Sequence, residues 1–134
     1  MSQADKEALI CMAKAFGKDE SWLTNRNGYN SHVSGWYYIY VTDGRVTAIG
    51  RPNDGLRGSI PKEIENLTNL KFLWLSDNSL SGDIPIELCN LTNLISLYLS
   101  HNNLSCEMPN IGDRNQVIQF FERLRNRVSQ ILLQ

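Results

Sequence analysis

Two stretches of this chain are copies of one pattern, and a fixed internal period leaves few folds open. Leu70-Lys71-Phe72-Leu73-Trp74-Leu75-Ser76-Asp77-Asn78-Ser79-Leu80-Ser81-Gly82-Asp83-Ile84-Pro85 aligns without a gap on Leu94 through Pro109, at an offset of 24 residues. The same step backwards picks out Val46, Ile49, Asp54, Leu56, Gly58, Ile60 and Pro61 as a third, more degenerate copy. Arg51 stands there where the other copies carry Leu75 and Leu99, so this copy is partly specialised.

The spacing dictates the local structure. In Leu-x-x-Leu-x-Leu the last two leucines alternate inward with period two, as in a short strand, and the residues between them face outward. Each copy therefore supplies one strand of a parallel sheet, with centres expected near Ile49, Leu73 and Leu97. Asn78 and Asn102 fall where the chain leaves the strand, and an amide there can satisfy loop backbone groups that no sheet partner reaches. They read as a structural asparagine ladder. Leu-Ser-Gly-x-Ile-Pro supplies a turn at Gly58 or Gly82 and an extended Ile-Pro step, which places these residues on the convex side.

The flanks read as caps. Ala8, Leu9, Met12, Ala13 and Phe16 recur at helical steps; Ser2 or Asp5 can cap the start of that helix and Gly17 can end it. Residues 18–34 are expected to be an irregular loop pinned by Trp22 and Leu23. Trp36 through Val41 reads as a strand, Thr42-Asp43-Gly44 as a turn and Arg45 through Ile49 as the returning strand. After Ile111-Gly112, the residues Val117, Phe120, Phe121, Leu124, Val128, Ile131 and Leu132 form one helical stripe, expected to be a helix docked on the last coil with Phe120 and Phe121 largely buried.

The segments Leu56 through Leu70 and Leu80 through Leu94 resemble the plant-type subfamily of leucine-rich repeats, whose signature is Leu-Ser-Gly-x-Ile-Pro. The resemblance covers about residues 45–112. Asp5-Lys6-Glu7-Ala8-Leu9, Ser21-Trp22-Leu23, Gly35-Trp36-Tyr37 and Asp43-Gly44-Arg45-Val46-Thr47 are similar to the N-terminal cap that precedes such repeats in plant receptors and related microbial proteins. The cysteines that flank the equivalent tryptophan in secreted plant versions are absent, Ser34 and Gly35 preceding Trp36 instead, which argues against a disulfide-locked extracellular cap. The expected fold is α/β: a short right-handed leucine-rich-repeat solenoid in one domain, with an N-terminal helix-hairpin cap (1–44), repeats (45–112) and a C-terminal capping helix (113–134).

Composition narrows the function. Thirteen basic and fourteen acidic side chains give a net charge of −1, which argues against whole-molecule attraction to nucleic acid or an anionic membrane. No apolar run approaches the length of a spanning helix, and Met1 through Lys6 carries no export signal, so a soluble, cytoplasmic protein is expected, or an extracellular one if a signal peptide has been removed. Cys11, Cys89 and Cys106 lack the spacing of a zinc or redox site and read as reduced structural thiols. No phosphate-binding glycine loop, pair of histidines at metal-ligand spacing or nucleophile elbow is present, so no catalytic residue, metal or cofactor is expected. His32 lies in the cap loop. Asn66-Leu67-Thr68, Asn90-Leu91-Thr92 and Asn103-Leu104-Ser105 fit the glycosylation sequon, but the repeat itself demands the same residues.

Binding is the remaining reading. The outward strand positions are Ala48 and Gly50, then Phe72 and Trp74, then Ser96 and Tyr98, and the register makes Trp74 and Tyr98 direct neighbours. Exposed aromatics on a strand face add nothing to the interior and are enriched at interface hot spots. The expected patch centres on Trp74 and Tyr98, each more than about a quarter exposed, with Phe72, Asp77 and His101 around them. Tyr38 or Tyr40 would extend the row from the hairpin. The register also stacks His101 one rung from Asp77, where a neighbouring carboxylate would make contact with a partner pH-dependent. The function expected is a non-catalytic protein–protein interaction module; the alternatives are an enzyme inhibitor or secreted effector, and a structural protein that self-associates.

Overall fold

In the computed structural model, which describes residues 1–23, 38–105, 122 and 130–132, the 24-residue period becomes a stack of parallel strands in one register. β2 (Arg45–Gly50), β4 (Phe72–Trp74) and β6 (Ser96–Tyr98) pair so that Ile49, Leu73 and Leu97 form one row and Gly50, Trp74 and Tyr98 another. β1 (Tyr38–Thr42) lies antiparallel along β2, with a bulge between Tyr40 and Val41. The hairpin turns on Asp43 (φ 52°) and Gly44 (φ 77°), two left-handed residues that match the twist of the strands they join. Trp36 and Tyr37, read as the start of β1, lie outside the described residues.

The sheet continues where a helix was expected. Gln130–Leu132 is a strand, β8, parallel to β6, with Ile131 opposite Leu97 and Leu132 opposite Tyr98. The helical stripe therefore does not run to Ile131 and Leu132. The reason is the edge: without a partner, β6 would leave a row of unpaired backbone groups open beside the apolar core. Glu122 is helical, whereas Phe120, Phe121 and the rest of 106–129 lie outside the described residues.

Opposite the main sheet runs a second one, β3 (Arg57–Gly58), β5 (Ser79–Asp83) and β7 (Asn103–Ser105), where sequence alone indicated only a turn and an extended step. Stacking at a fixed period brings the backbone groups of these segments into hydrogen-bonding reach, with Gly58 and Gly82 left-handed at φ 79° and 78°. Beyond Pro61 and Pro85 the chain makes single 3-10 turns, Lys62–Asn66 and Ile86–Asn90, which bury Ile64 and Leu88. The core between the layers is repeated leucine: Leu70, Leu73, Leu75 and Leu80 from one copy, Leu94, Leu97, Leu99 and Leu104 from the next.

The asparagine ladder is present. Asn78 Oδ1 accepts from the backbone N–H of Asp54 (2.9 Å) and Leu56 (3.0 Å), and its Nδ2 donates to the carbonyls of Arg51, Leu75 and Ser76. Asn102 repeats the pattern one rung on, accepting from Leu80 N–H and donating to Leu75, Leu99 and Ser100.

At the N-terminal end, helix α1 (Gln3–Ala15) buries Ala8, Leu9, Met12 and Ala13. Ser2 is its cap, its side chain accepting from Asp5 N–H at 3.2 Å, and Gly17 follows its end with φ 76°. Asp5 is fully buried; its carboxylate accepts from Arg45 Nε (3.0 Å), Arg45 Nη2 (3.1 Å) and Val46 N–H (2.8 Å), which ties α1 to the hairpin. Hydrogen bonding and charge attraction from Asp5 raise the pKa of Arg45, so the guanidinium keeps its charge throughout the working range.

Trp22 explains the odd residue of the degenerate repeat. It is buried, meets Phe16 edge-on at 5.8 Å and donates from Nε1 to Asp54 Oδ2 at 3.0 Å. Arg51, in the leucine position, lies over the Trp22 ring at 5.2 Å and donates to the Trp22 carbonyl at 2.9 Å. The substitution exchanges an aliphatic core contact for a cation–π and hydrogen-bonded clamp on the cap.

Candidate protein-binding face

The parallel register sorts the outward side chains into columns. On β2 these are Ala48 and Gly50, small and buried by their neighbours; on β4, Phe72 and Trp74; on β6, Ser96 and Tyr98. Because one strand spacing nearly matches the separation of stacked rings, Trp74 and Tyr98 lie face to face, centroids 5.4 Å apart and planes 13° apart. Phe72 meets Trp74 edge-on at 5.7 Å and 61°. Trp74 Nε1 donates to Ser96 Oγ at 2.9 Å, and this fixes the indole and buries the serine beneath it.

Three of the five residues expected to form the patch are thus one aromatic cluster. Phe72, Trp74 and Tyr98 are all half-buried. The two stacked rings cover each other's inner faces. Tyr40, opposite Ala48 in β1, is 53% exposed and extends the row, while the side chain of Tyr38 lies outside the described residues.

Asp77 and His101 sit elsewhere. Both are exposed at the strand ends and hold left-handed backbone, φ 60° and 58°, in a column with Asn53 at 51°. Asp77 N–H donates to Ser100 O at 3.0 Å, continuing the ladder past the strands. Among the described residues no ion pair joins Asp77 to His101.

Sequence reasoning missed a hollow of about 310 Å³ between the hairpin and the aromatic cluster, lined by Tyr40, Thr47, Ala48, Lys71, Phe72 and Trp74 among others. It exists because β2 carries only Ala48 and Gly50 between the larger side chains of β1 and β4. Those two small residues, opposite two aromatics one period later, were the available signal. Lys71 is the one charged residue of the lining.

Among the described residues no three His, Cys, Asp or Glu side chains stand together as a metal site, and no helix is long and apolar enough to cross a membrane. Cys11 is a free, exposed thiol; His32, Cys106 and the side chain of Cys89 lie outside the described residues.

A family profile of leucine-rich repeats, in two copies, matches residues 62–111. Solved structures share the fold. The Arabidopsis thaliana BIR3–SERK2 complex contains a chain 21% identical over 94% of this one, with a TM-score of 0.61. A pollen receptor kinase 3 is 32% identical over 73%, with a TM-score of 0.51. The ectodomain of the Arabidopsis thaliana membrane receptor kinase GASSHO1/SCHENGEN3, solved with CASPARIAN STRIP INTEGRITY FACTOR 2, is 22% identical over 97%, with a TM-score of 0.58. This chain spans 65%, 44% and 18% of those three in turn. The expectation of a cytoplasmic protein finds no support among them. The profile match over residues 62–111, the Leu-Ser-Gly-x-Ile-Pro copies and the parallel sheet together show that this chain carries leucine-rich repeats, similar to those of the plant type.

Proposed function

We propose that the chain is a non-catalytic binding module, a short capped solenoid that holds a protein partner on the outward face of its main sheet. Trp74 and Tyr98 form the centre, Phe72 flanks them, and Asp77 and His101 supply a polar rim. The observation that carries this reading is the Trp74–Tyr98 stack: two large rings, fixed in position, on the side of the sheet away from the leucine core. Rigid aromatics bury much area on association and lose little side-chain entropy, which is why they dominate interface energetics. The solved neighbours that contain a bound protein or peptide are consistent with such a role.

A photo-reactive benzoylphenylalanine placed at Tyr98 is expected to cross-link a partner from extract of the source organism, whereas the same group at Asp83, exposed on the opposite sheet, is not. Capture from position 83 alone would move the interface to the convex side. Capture of a second copy of this chain would replace the partner by self-association.

A further inference from the structure

We propose that the hollow beside Lys71 is a specificity subsite that takes an apolar side chain and an adjacent carboxylate from an acidic peptide segment of the partner. This rests on the sheet face being the binding surface and says what that face selects. The hollow's walls are Tyr40 on one side and Phe72 and Trp74 on the other, over a floor of Ala48, so its body suits an apolar group. At about 310 Å³ it lies at the low end of ligand-site volumes and fits a residue or two of an extended segment.

Charge decides the rest. Lys71 is exposed, no acidic residue shares the lining, and among the described residues no ion pair engages its ammonium group. The whole chain carries −1, so this positive site is local and attracts by position, not by bulk charge. A lysine or arginine beside the apolar residue would face like charge, and a neutral residue would leave Lys71 unmatched.

The test uses the isotope-labelled full chain titrated with three probes: acetyl-leucyl-glutamate amide, acetyl-leucyl-glutamine amide and acetyl-glycyl-glutamate amide. The leucyl-glutamate probe should shift the amide resonances of Ala48, Lys71 and Phe72 and the indole of Trp74. It should bind about three- to fivefold more tightly than leucyl-glutamine at low salt, the range of a solvent-accessible ion pair, and lose that advantage in molar salt. The glycyl probe should be the weakest. Lys71→Met, at an exposed position, should abolish the preference for glutamate over glutamine and keep the affinity for leucyl-glutamine. Equal binding of the first two probes, a preference that survives Lys71→Met, or resonances that no probe moves would each overturn the subsite. If the probes fail while the cross-linker at Tyr98 still captures a partner, the subsite falls and the face stands. If both fail, both fall.

Discussion

Asn78→Ala is expected to destabilise the fold by about 3 to 4 kcal/mol, a large part of what holds a domain of this size together. The side chain adds no apolar packing; it closes a loop whose backbone the sheet does not reach. Its Oδ1 holds two backbone donors, those of Asp54 and Leu56, and its Nδ2 serves three carbonyls, two in its own turn and Arg51 O one rung earlier. Alanine leaves all of them without that partner, at about 1 to 3 kcal/mol for each group that stays dry. Asn78 is half-buried, so water rescues some of them and the total stays below the full sum. Urea unfolding monitored by circular dichroism measures the loss. A cost under about 1 kcal/mol would mean that the ladder is ornamental.

Gly58→Ala should be nearly as damaging, about 3 kcal/mol, for a steric reason. Gly58 has φ 79°, and a β-carbon built there would overlap the carbonyl oxygen of Ala15, at the last turn of α1. That oxygen is backbone, so no rotamer change relieves the clash; the cap helix itself must move, and with it the neighbouring hydrogen bond from Arg57 N–H to Phe16 O at 3.2 Å. Gly44→Ala is the control. Its φ is 77°, but nothing lies within 4 Å of the added carbon, so only the left-handed backbone cost of about 1 to 2 kcal/mol applies. Equal melting temperatures for the two variants would show that α1 is not seated against β3.

The repeat register was legible because identical spacing leaves no choice: once Leu73 and Leu97 align, Phe72 with Ser96 and Trp74 with Tyr98 follow. The hairpin was legible in Asp43-Gly44 and the cap helix in the steps from Ala8 to Phe16. Four features were not. Gln130–Leu132 is too short for a period of two to be told from one of 3.6, and its strand identity depends on the distant edge of β6. Arg51 was recognisable as an exception, but its reason is Trp22, 29 residues earlier and brought near only by the fold. The hollow depends on what stands opposite Ala48, and Lys71 therefore went unnoticed beside the aromatics that flank it. Asp77 and His101 were placed one rung apart correctly, yet left-handed backbone at both is not visible in residue types that tolerate many conformations.

Whether the aromatic face is the working surface is tested most directly by the affinity of a Trp74→Ala, Tyr98→Ala double variant for the partner that position 98 captures. The variant should keep its circular dichroism and melting behaviour, because neither ring belongs to the leucine core. Its binding should weaken by about thirtyfold or more, the equivalent of one hot spot of about 2 kcal/mol. A variant that unfolds, or one that binds the partner with unchanged affinity, would contradict the assignment of the face.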